Sequence, residues 1–93
     1  MEEKAILEID LAALGLINAL EQYSADLSCC MDQKNLAALR DEIINLRRSL
    51  LGLEMGMLYQ HKEYDQELLT QAVATEKIPL NQVAEKLIKK LQK

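Results

Sequence analysis

The stretch LAALRDEIINLRRSLLGLEMGM, residues 36–57, carries an apolar residue at alternating steps of three and four. This is the spacing of the a and d positions of a coiled-coil seam, which lie along one face of an α-helix. The pattern therefore predicts a long helix over residues 33–63. The members of its seam are Leu36, Leu39, Ile43, Leu46, Leu50, Leu53 and Met57.

The first third of the chain repeats the same spacing and predicts a first helix over residues 1–30. Between the two seams lies SCCMDQKN, in which Asp32 or Asn35 can accept backbone N–H groups as an N-cap. A connection this short makes the two helices antiparallel neighbours. The members of the first seam are Ile6, Ile9, Ala13, Leu16, Leu20, Tyr23 and Leu27.

Beyond the second seam, the pattern predicts two shorter helices. Asp65 is a candidate N-cap for a short helix over residues 65–76. Pro79 interrupts the chain, and an amphipathic helix follows over residues 80–92, with lysines near its C-terminal end. A length of 93 residues suits one domain, 1–93. The predicted fold class is all-α, an antiparallel hairpin followed by short C-terminal helices.

A second apolar face runs beside the seam on both long helices. Counting 100° per residue places its two halves on the same side of the hairpin. A patch of this size needs a cover, which can be the C-terminal helices, a second copy of the chain or another protein. We favour a second copy, because a homodimer would complete a four-helix bundle. The predicted interface residues are Leu7, Leu11, Leu14, Ile17, Ile44, Leu51, Met55 and Leu58.

Charged residues within or beside this face are predicted to form a polar layer, consisting of Asp10, Glu21, Arg40, Arg47 and Glu54. Glu21 is level with Arg40 across the hairpin, which predicts a flanking ion pair. Asp10 is level with Glu54, so a dimer would bring four carboxylates together, as in di-metal bundles. Those sites use Glu-x-x-His pairs, whereas His61 lies about 10 Å along the helix axis from Glu54. We therefore favour a charge-compensated layer over a metal site.

Composition narrows the class of partner. Fifteen acidic residues against 11 basic ones give a formal charge of −4, so no nucleic-acid partner is expected. Charges interrupt the apolar runs too often for a membrane span. The acidic opening MEEKAILEID lacks the basic start of a secretory signal, and we expect the chain to be cytoplasmic at synthesis.

The residues form no catalytic constellation, and the sequence predicts a non-enzymatic protein without a cofactor or bound metal. Cys29 and Cys30, the only cysteines, have no histidine within helical reach. Adjacent cysteines strain an ordinary bridge, and two thiols alone are an incomplete zinc set. We interpret them as small apolar residues near a helix end. An intermolecular crosslink and a reactive thiol remain as alternatives.

Three segments carry a family resemblance: ALEQYSADL in the first helix, LAALRDEI in the second, and the exit GMLYQHKEY. Together they resemble the Coat F type of spore coat protein over about residues 8–65. The corresponding residues are Tyr23, Leu39, Arg40, Met57, Lys62 and Tyr64. The resemblance implies a ferritin-like helical hairpin and a structural or assembly role associated with the spore coat.

Two other functions are kept beside this one. A helical adaptor or export chaperone would hold a client helix on an amphipathic surface that includes the segment from Leu80 to Leu91. A metal-binding carboxylate bundle would use Asp10 and Glu54.

Overall fold

The computed structural model describes residues 2–59 and 65–91, with the side chains of residues 3–57 and 65–90. This part of the chain forms five helices and contains no strand, which confirms the predicted all-α class. The helices are α1 (Glu2–Gln22), α2 (Ser24–Leu27), α3 (Gln33–Tyr59), α4 (Gln66–Val73) and α5 (Leu80–Leu91).

The two long helices form an antiparallel hairpin. Glu21, near the end of α1, pairs with Arg40 near the start of α3. Asp10, in the middle of α1, pairs with Arg47 further along α3. Contacts between the helices therefore run in opposite chain order. The short helices α4 and α5 both pack against α3, and α5 also contacts α1.

The predicted first helix over residues 1–30 is divided in the structure. Tyr23 leaves the helical conformation, with φ −104° and ψ 15°, and separates α1 from the single turn of α2. The Ser24 hydroxyl donates to the Glu21 carbonyl at 3.1 Å and satisfies part of the broken helix end. Cys30 and Met31 then donate their backbone N–H groups to the Leu27 carbonyl and close the turn.

Aspartate side chains begin two of the later helices. Asp32 accepts the Asn35 backbone N–H at 2.7 Å, so the cap of α3 is Asp32 and not Asn35. Asp65 accepts the N–H groups of Glu67 and Leu68 and caps α4. The helix predicted over 65–76 ends earlier, at Val73. Helix α5 begins directly after Pro79, whose fixed φ suits a helix start.

The ends of two other predicted helices lie partly outside the described residues. Helix α3 is described from residue 33 to residue 59, so the remainder of the predicted range 33–63 is not covered. Helix α5 is described to residue 91, one residue short of the predicted end at 92. Lys62 and Tyr64, which carry part of the resemblance, and His61 also lie outside the described residues.

The predicted seam is only half buried, and this corrects the sequence interpretation of the hairpin. Its exposed members are Ile9, Leu16, Tyr23, Leu46 and Leu53. The inward positions between them are taken by other residues, among them Asp10 and Ile17 on α1 and Arg47 and Glu54 on α3. Because α4 and α5 pack on one side of the hairpin, both long helices turn that side inward.

The C-terminal helices cover the second apolar face. One core cluster joins Leu51 and Met55 of α3 to Leu69 and Val73 of α4 and to four residues of α5, namely Leu80, Val83, Ala84 and Leu87. The chain thus covers with its own residues the surface that we expected a second copy to cover. A homodimer through this face would require α4 and α5 to leave it.

The residues predicted for the dimer interface accordingly have mixed positions. Leu14, Ile17, Leu51 and Met55 are buried within the single chain. Leu7 and Ile44 are half-buried, and Leu11 is exposed. The side chain of Leu58 lies outside the described residues.

Truncation of Leu51 tests this packing. Leu51 is fully buried, so Leu51→Ala should lower the free energy of unfolding by about 2–5 kcal/mol, through lost burial and the cavity left behind. Leu53→Ala is the matched control on the same helix. Leu53 is 60% exposed, and its truncation should change the free energy by no more than about 0.5 kcal/mol. Urea denaturation of both variants measures the difference, and equal losses would contradict the rotation of α3 described above.

Candidate functional site

The centre of the fold is a buried ion pair between Asp10 and Arg47. Both side chains are fully excluded from solvent. Arg47 Nε donates to Asp10 Oδ1 at 2.6 Å, and Arg47 Nη2 reaches Oδ2 at 3.5 Å. A buried charge is costly unless it is paired and hydrogen-bonded, and each residue satisfies the other in this way.

The remaining bonds of this pair connect the hairpin to the segment between α4 and α5. Arg47 Nη1 donates to the Val73 carbonyl at 2.9 Å, and Nη2 donates to the Ile78 carbonyl at 2.7 Å. Asp10 Oδ2 accepts the Leu80 backbone N–H at 2.8 Å. Two side chains of the hairpin therefore hold the connecting segment at three backbone positions.

The charges also complement the helix ends that they meet. The guanidinium contacts the last residue of α4, where the helix dipole leaves partial negative charge. The carboxylate contacts the first residue of α5, where the dipole leaves partial positive charge. Asp10 thus caps α5 from a distant helix. The bonds of both residues thus hold the C-terminal helices against the hairpin.

Glu54 is another buried ionisable residue, and it lies on α3 with Arg47. It is 7% exposed. Burial raises the pKa of its carboxyl group above the ordinary value of 4.5, and repulsion from Glu3, Asp10 and Glu85 adds to the rise. Arg47, one heptad away, is engaged by Asp10 and carbonyl groups instead. The predicted polar layer is therefore not evenly compensated, because one carboxyl group lies inside it without the expected cation.

The outer members of the predicted layer lie at the surface. Arg40 Nε lies 3.8 Å from Glu21 Oε1, which is the flanking ion pair expected from their level positions. Arg40 also pairs with Glu76, in the turn after α4. Both pairs are partly exposed, so each is worth less than about 1 kcal/mol. They join the turn end of the hairpin to the α4–α5 segment.

Asp10 and Glu54, the carboxylates predicted as an alternative metal site, have different surroundings in the structure. Asp10 is bonded to Arg47 and to the Leu80 N–H, so it is not free to share a cation with Glu54. Within residues 2–59 and 65–91, no group of three or more His, Cys, Asp or Glu side chains is arranged to hold a metal ion. His61 lies outside those ranges.

The exposed half of the seam forms a surface of its own. Ile9 and Leu16 on α1 and Tyr23, directly after its end, follow one another at heptad spacing, and Leu46 and Leu53 do so on α3. Counting 100° per residue, with α3 reversed, places all five on the side of the hairpin away from α4 and α5. We call these five residues the exposed face. Half to two-thirds of each side chain is open to solvent, from 47% at Leu46 to 60% at Leu53.

A groove lies between α4 and α5. Its volume is about 210 Å³, and both apolar and polar residues line it. The apolar ones include Leu68, Ala72 and Leu87, and Lys86 and Lys90 lie beside them. It is therefore an amphipathic surface with positive charge, built from the segment that the sequence predicts for client binding.

Removing one charge of the buried pair should lower the free energy of unfolding. Asp10→Asn leaves the Arg47 guanidinium buried without a counter-charge and should cost about 3–5 kcal/mol in the free energy of unfolding. Glu21→Gln, which removes a partly exposed partner from α1, is the control and should cost less than about 1 kcal/mol. Chemical denaturation measures both.

The double variant Asp10→Leu with Arg47→Met distinguishes pairing from general disruption. Removing both charges leaves neither unpaired, so the double variant should lose less stability than the two single changes added together. Strict additivity, or a Glu21→Gln loss as large as that of Asp10→Asn, would contradict the assignment of this pair as the centre of the fold.

Glu54 should make stability depend on pH in a defined direction. Its folded-state pKa is raised, so the folded protein holds this proton more tightly than the unfolded chain does. The penalty for ionising it is absent in acid below 4.5, appears as pH rises through the folded-state pKa, and is fully present above it. Glu54→Gln should therefore be more stable than the wild type at neutral pH, and this advantage should vanish in acid.

Urea denaturation of the wild type and Glu54→Gln at several pH values measures this difference. Glu42→Gln, which changes an exposed glutamate of the same helix, controls for general charge effects. A Glu54→Gln advantage that stays constant from acid to neutral pH would show that ionisation of Glu54 is not its cause.

No family model, no curated protein and no solved structure matches this chain. Across the described helices, none combines the length and the apolar character needed to cross a bilayer.

Proposed function

We propose that this chain is a non-enzymatic assembly protein that associates with a second copy of itself through the exposed face. The observation that supports the proposal is the persistence of a heptad pattern on a surface that the fold leaves uncovered. The hairpin buries one side under α4 and α5 and presents the other side to solvent.

The pattern on α1 is that of a helix-packing surface. Small and large apolar residues alternate along it at steps of four and three, in the order Ala5, Ile9, Ala12, Leu16 and Ala19, and Tyr23 continues the pattern just beyond the helix end. On α3, leucines recur one heptad apart at Leu39, Leu46 and Leu53. Large residues at such spacing insert between the side chains of a facing helix, and small ones let the backbones approach.

The dimensions of the hairpin suit a partner of the same size. Helix α1 has 21 residues, which gives a length of about 30 Å at ~1.5 Å per residue. Two adjacent helices, each about 10 Å across, present a width of about 20 Å. This area is of the order of the ~800 Å² per partner that a standard protein interface buries. A second hairpin placed on it by a two-fold axis would make a four-helix bundle.

The composition of the face favours reversible association. Glu42 and Ser49 fall between the leucines on α3, so the apolar contact is continuous on α1 and interrupted on α3. Obligate interfaces are more uniformly apolar than this. We expect a dimer whose population depends on protein concentration, as suits a subunit that must be made before it assembles.

The resemblance to Coat F proteins supports a role in a protein layer of the spore-coat type. Of the residues that carry it, Tyr23 belongs to the exposed face, and Leu39 and Met57 pack on the core. Arg40 joins the hairpin to the α4–α5 segment. These residues fit a structural role, and the coat association is part of the proposal.

Leucine-to-lysine changes on two sides of α1 test the proposal. Leu16→Lys places charge in the exposed face and should shift the dimer midpoint to at least about tenfold higher concentration, which corresponds to ~1.4 kcal/mol. Leu11→Lys is the matched control, because Leu11 is 47% exposed, nearly the same as 49% for Leu16, but projects from another side of α1. Size-exclusion chromatography with light scattering over a concentration series measures both.

Two results of this concentration series would contradict the proposal. A wild type that stays monomeric at the highest concentrations would contradict self-association. A dimer weakened equally by Leu11→Lys and Leu16→Lys would show that general charge, and not the exposed face, governs it. Circular dichroism of each variant checks that the helices remain formed.

A second candidate is a helical adaptor that binds a client helix in the groove between α4 and α5. The groove itself favours this function, because apolar residues beside Lys86 and Lys90 suit an amphipathic helix that carries acidic residues. Such an adaptor would bind its client as a monomer and would be insensitive to Leu16→Lys. The two functions therefore use opposite sides of the molecule.

A further inference from the structure

Two thiols meet at the turn end of the hairpin. Cys29 and Cys30 are both free and exposed, in the turn between α2 and α3. Their sulfur atoms lie 3.3 Å apart. The Cys29 thiol also donates to the Asp26 carbonyl at 2.9 Å, which orients its sulfur. Backbone bonds from Cys30 and Met31 to the Leu27 carbonyl fix the turn that carries both residues.

This geometry disfavours a disulfide between the two cysteines. Consecutive Cα atoms lie about 3.8 Å apart, whereas disulfide-bonded cysteines usually need about 4.4–6.8 Å. Closing the bridge would strain the turn. The pair is therefore suited to act as a reduced dithiol, with both sulfurs available to a third atom.

The separation of the sulfurs indicates which atom fits between them. Thiolates bind zinc at about 2.3 Å, and with bonds of that length, sulfurs 3.3 Å apart subtend about 90° at the bound atom. Tetrahedral zinc needs a wider angle and two further ligands. Trivalent arsenic is pyramidal, forms bonds near a right angle, and needs only two thiolates when it already carries one carbon substituent.

We propose that Cys29 and Cys30 form a bidentate site for monosubstituted trivalent arsenicals. With phenylarsine oxide, two S–As bonds form and the bonds from arsenic to oxygen break. The oxygen leaves as water together with the two thiol protons. Arsenic stays trivalent and no electrons are transferred, so the reaction needs no oxidant or reductant. The turn supplies a dithiol whose sulfurs already have the required spacing, which lowers the ordering cost of chelation.

Mass spectrometry of the intact, reduced protein tests the site with phenylarsine oxide as the probe. The chain has two cysteines, so every thiol-linked adduct reports on this pair. The wild type should bind one phenylarsenic group, lose both free thiols in a colorimetric thiol assay, and keep the adduct in excess glutathione. Cys29→Ser and Cys30→Ser, with one thiol each, should lose the adduct to glutathione.

A variant with two thiols at a different spacing tests the role of the turn geometry. Cys30→Ser combined with Met31→Cys keeps two thiols but moves one of them by a residue. It should release phenylarsenic at a glutathione concentration roughly tenfold lower than the wild type does, because its sulfurs must rearrange to chelate. Equal retention by this variant would overturn the proposed geometric site. Loss of the wild-type adduct as readily as that of Cys29→Ser would overturn bidentate binding altogether.

Discussion

The contact between Asp10 and Arg47 is the constraint on which the rest of the structure depends. It lies where the hairpin meets α4 and α5, and it is fully buried. Two charges in such a place are tolerable only if their hydrogen bonds are satisfied, and the bonds that remain after pairing reach backbone atoms of residues 73, 78 and 80. The hydrogen bonds of the buried pair are therefore complete only when α4 and α5 pack on the hairpin. We infer that the pair favours this arrangement over others that an aliphatic core would tolerate.

The same contact determines which side of the hairpin is left for other molecules. Once α4 and α5 cover the side of Leu51 and Met55, the opposite stripe has no cover within the described part of the chain. On the two long helices, one apolar stripe therefore lies in the core and another forms the exposed face. Only one of the two stripes can face α4 and α5. The same pair of helices therefore carries both a buried core side and an exposed apolar side.

Much of this architecture could be predicted from the sequence, and its limits have physical causes. Helix periodicity and polar caps are local signals, so both long elements and the cap at Asp65 could be predicted from neighbouring residues. For α3 the sequence left Asp32 and Asn35 as alternative caps, and the structure selects Asp32. The rotation of the helices could not, because a/d spacing fits equally through Ile9 and Leu16 or through Asp10 and Ile17. The choice between them depends on tertiary contacts with α4 and α5. Arg47 could be singled out by its apolar surroundings, but its carbonyl partners are backbone atoms and leave no trace in residue types.

Because the buried pair of Asp10 and Arg47 bonds backbone atoms, it limits how sequences with this fold can diverge. Asp10 and Arg47 contact the backbone of the α4–α5 segment and not its side chains, so this contact places no demand on the residue types at 74, 75 and 77. Glu76 has a partner of its own in Arg40. The two charged positions, 37 residues apart, can change only together. Evolution would then leave a sparse record: an acid and an arginine on facing helices, within sequences that otherwise share little. A search for distant members of this fold is better guided by that pair, placed within two heptad patterns, than by overall identity.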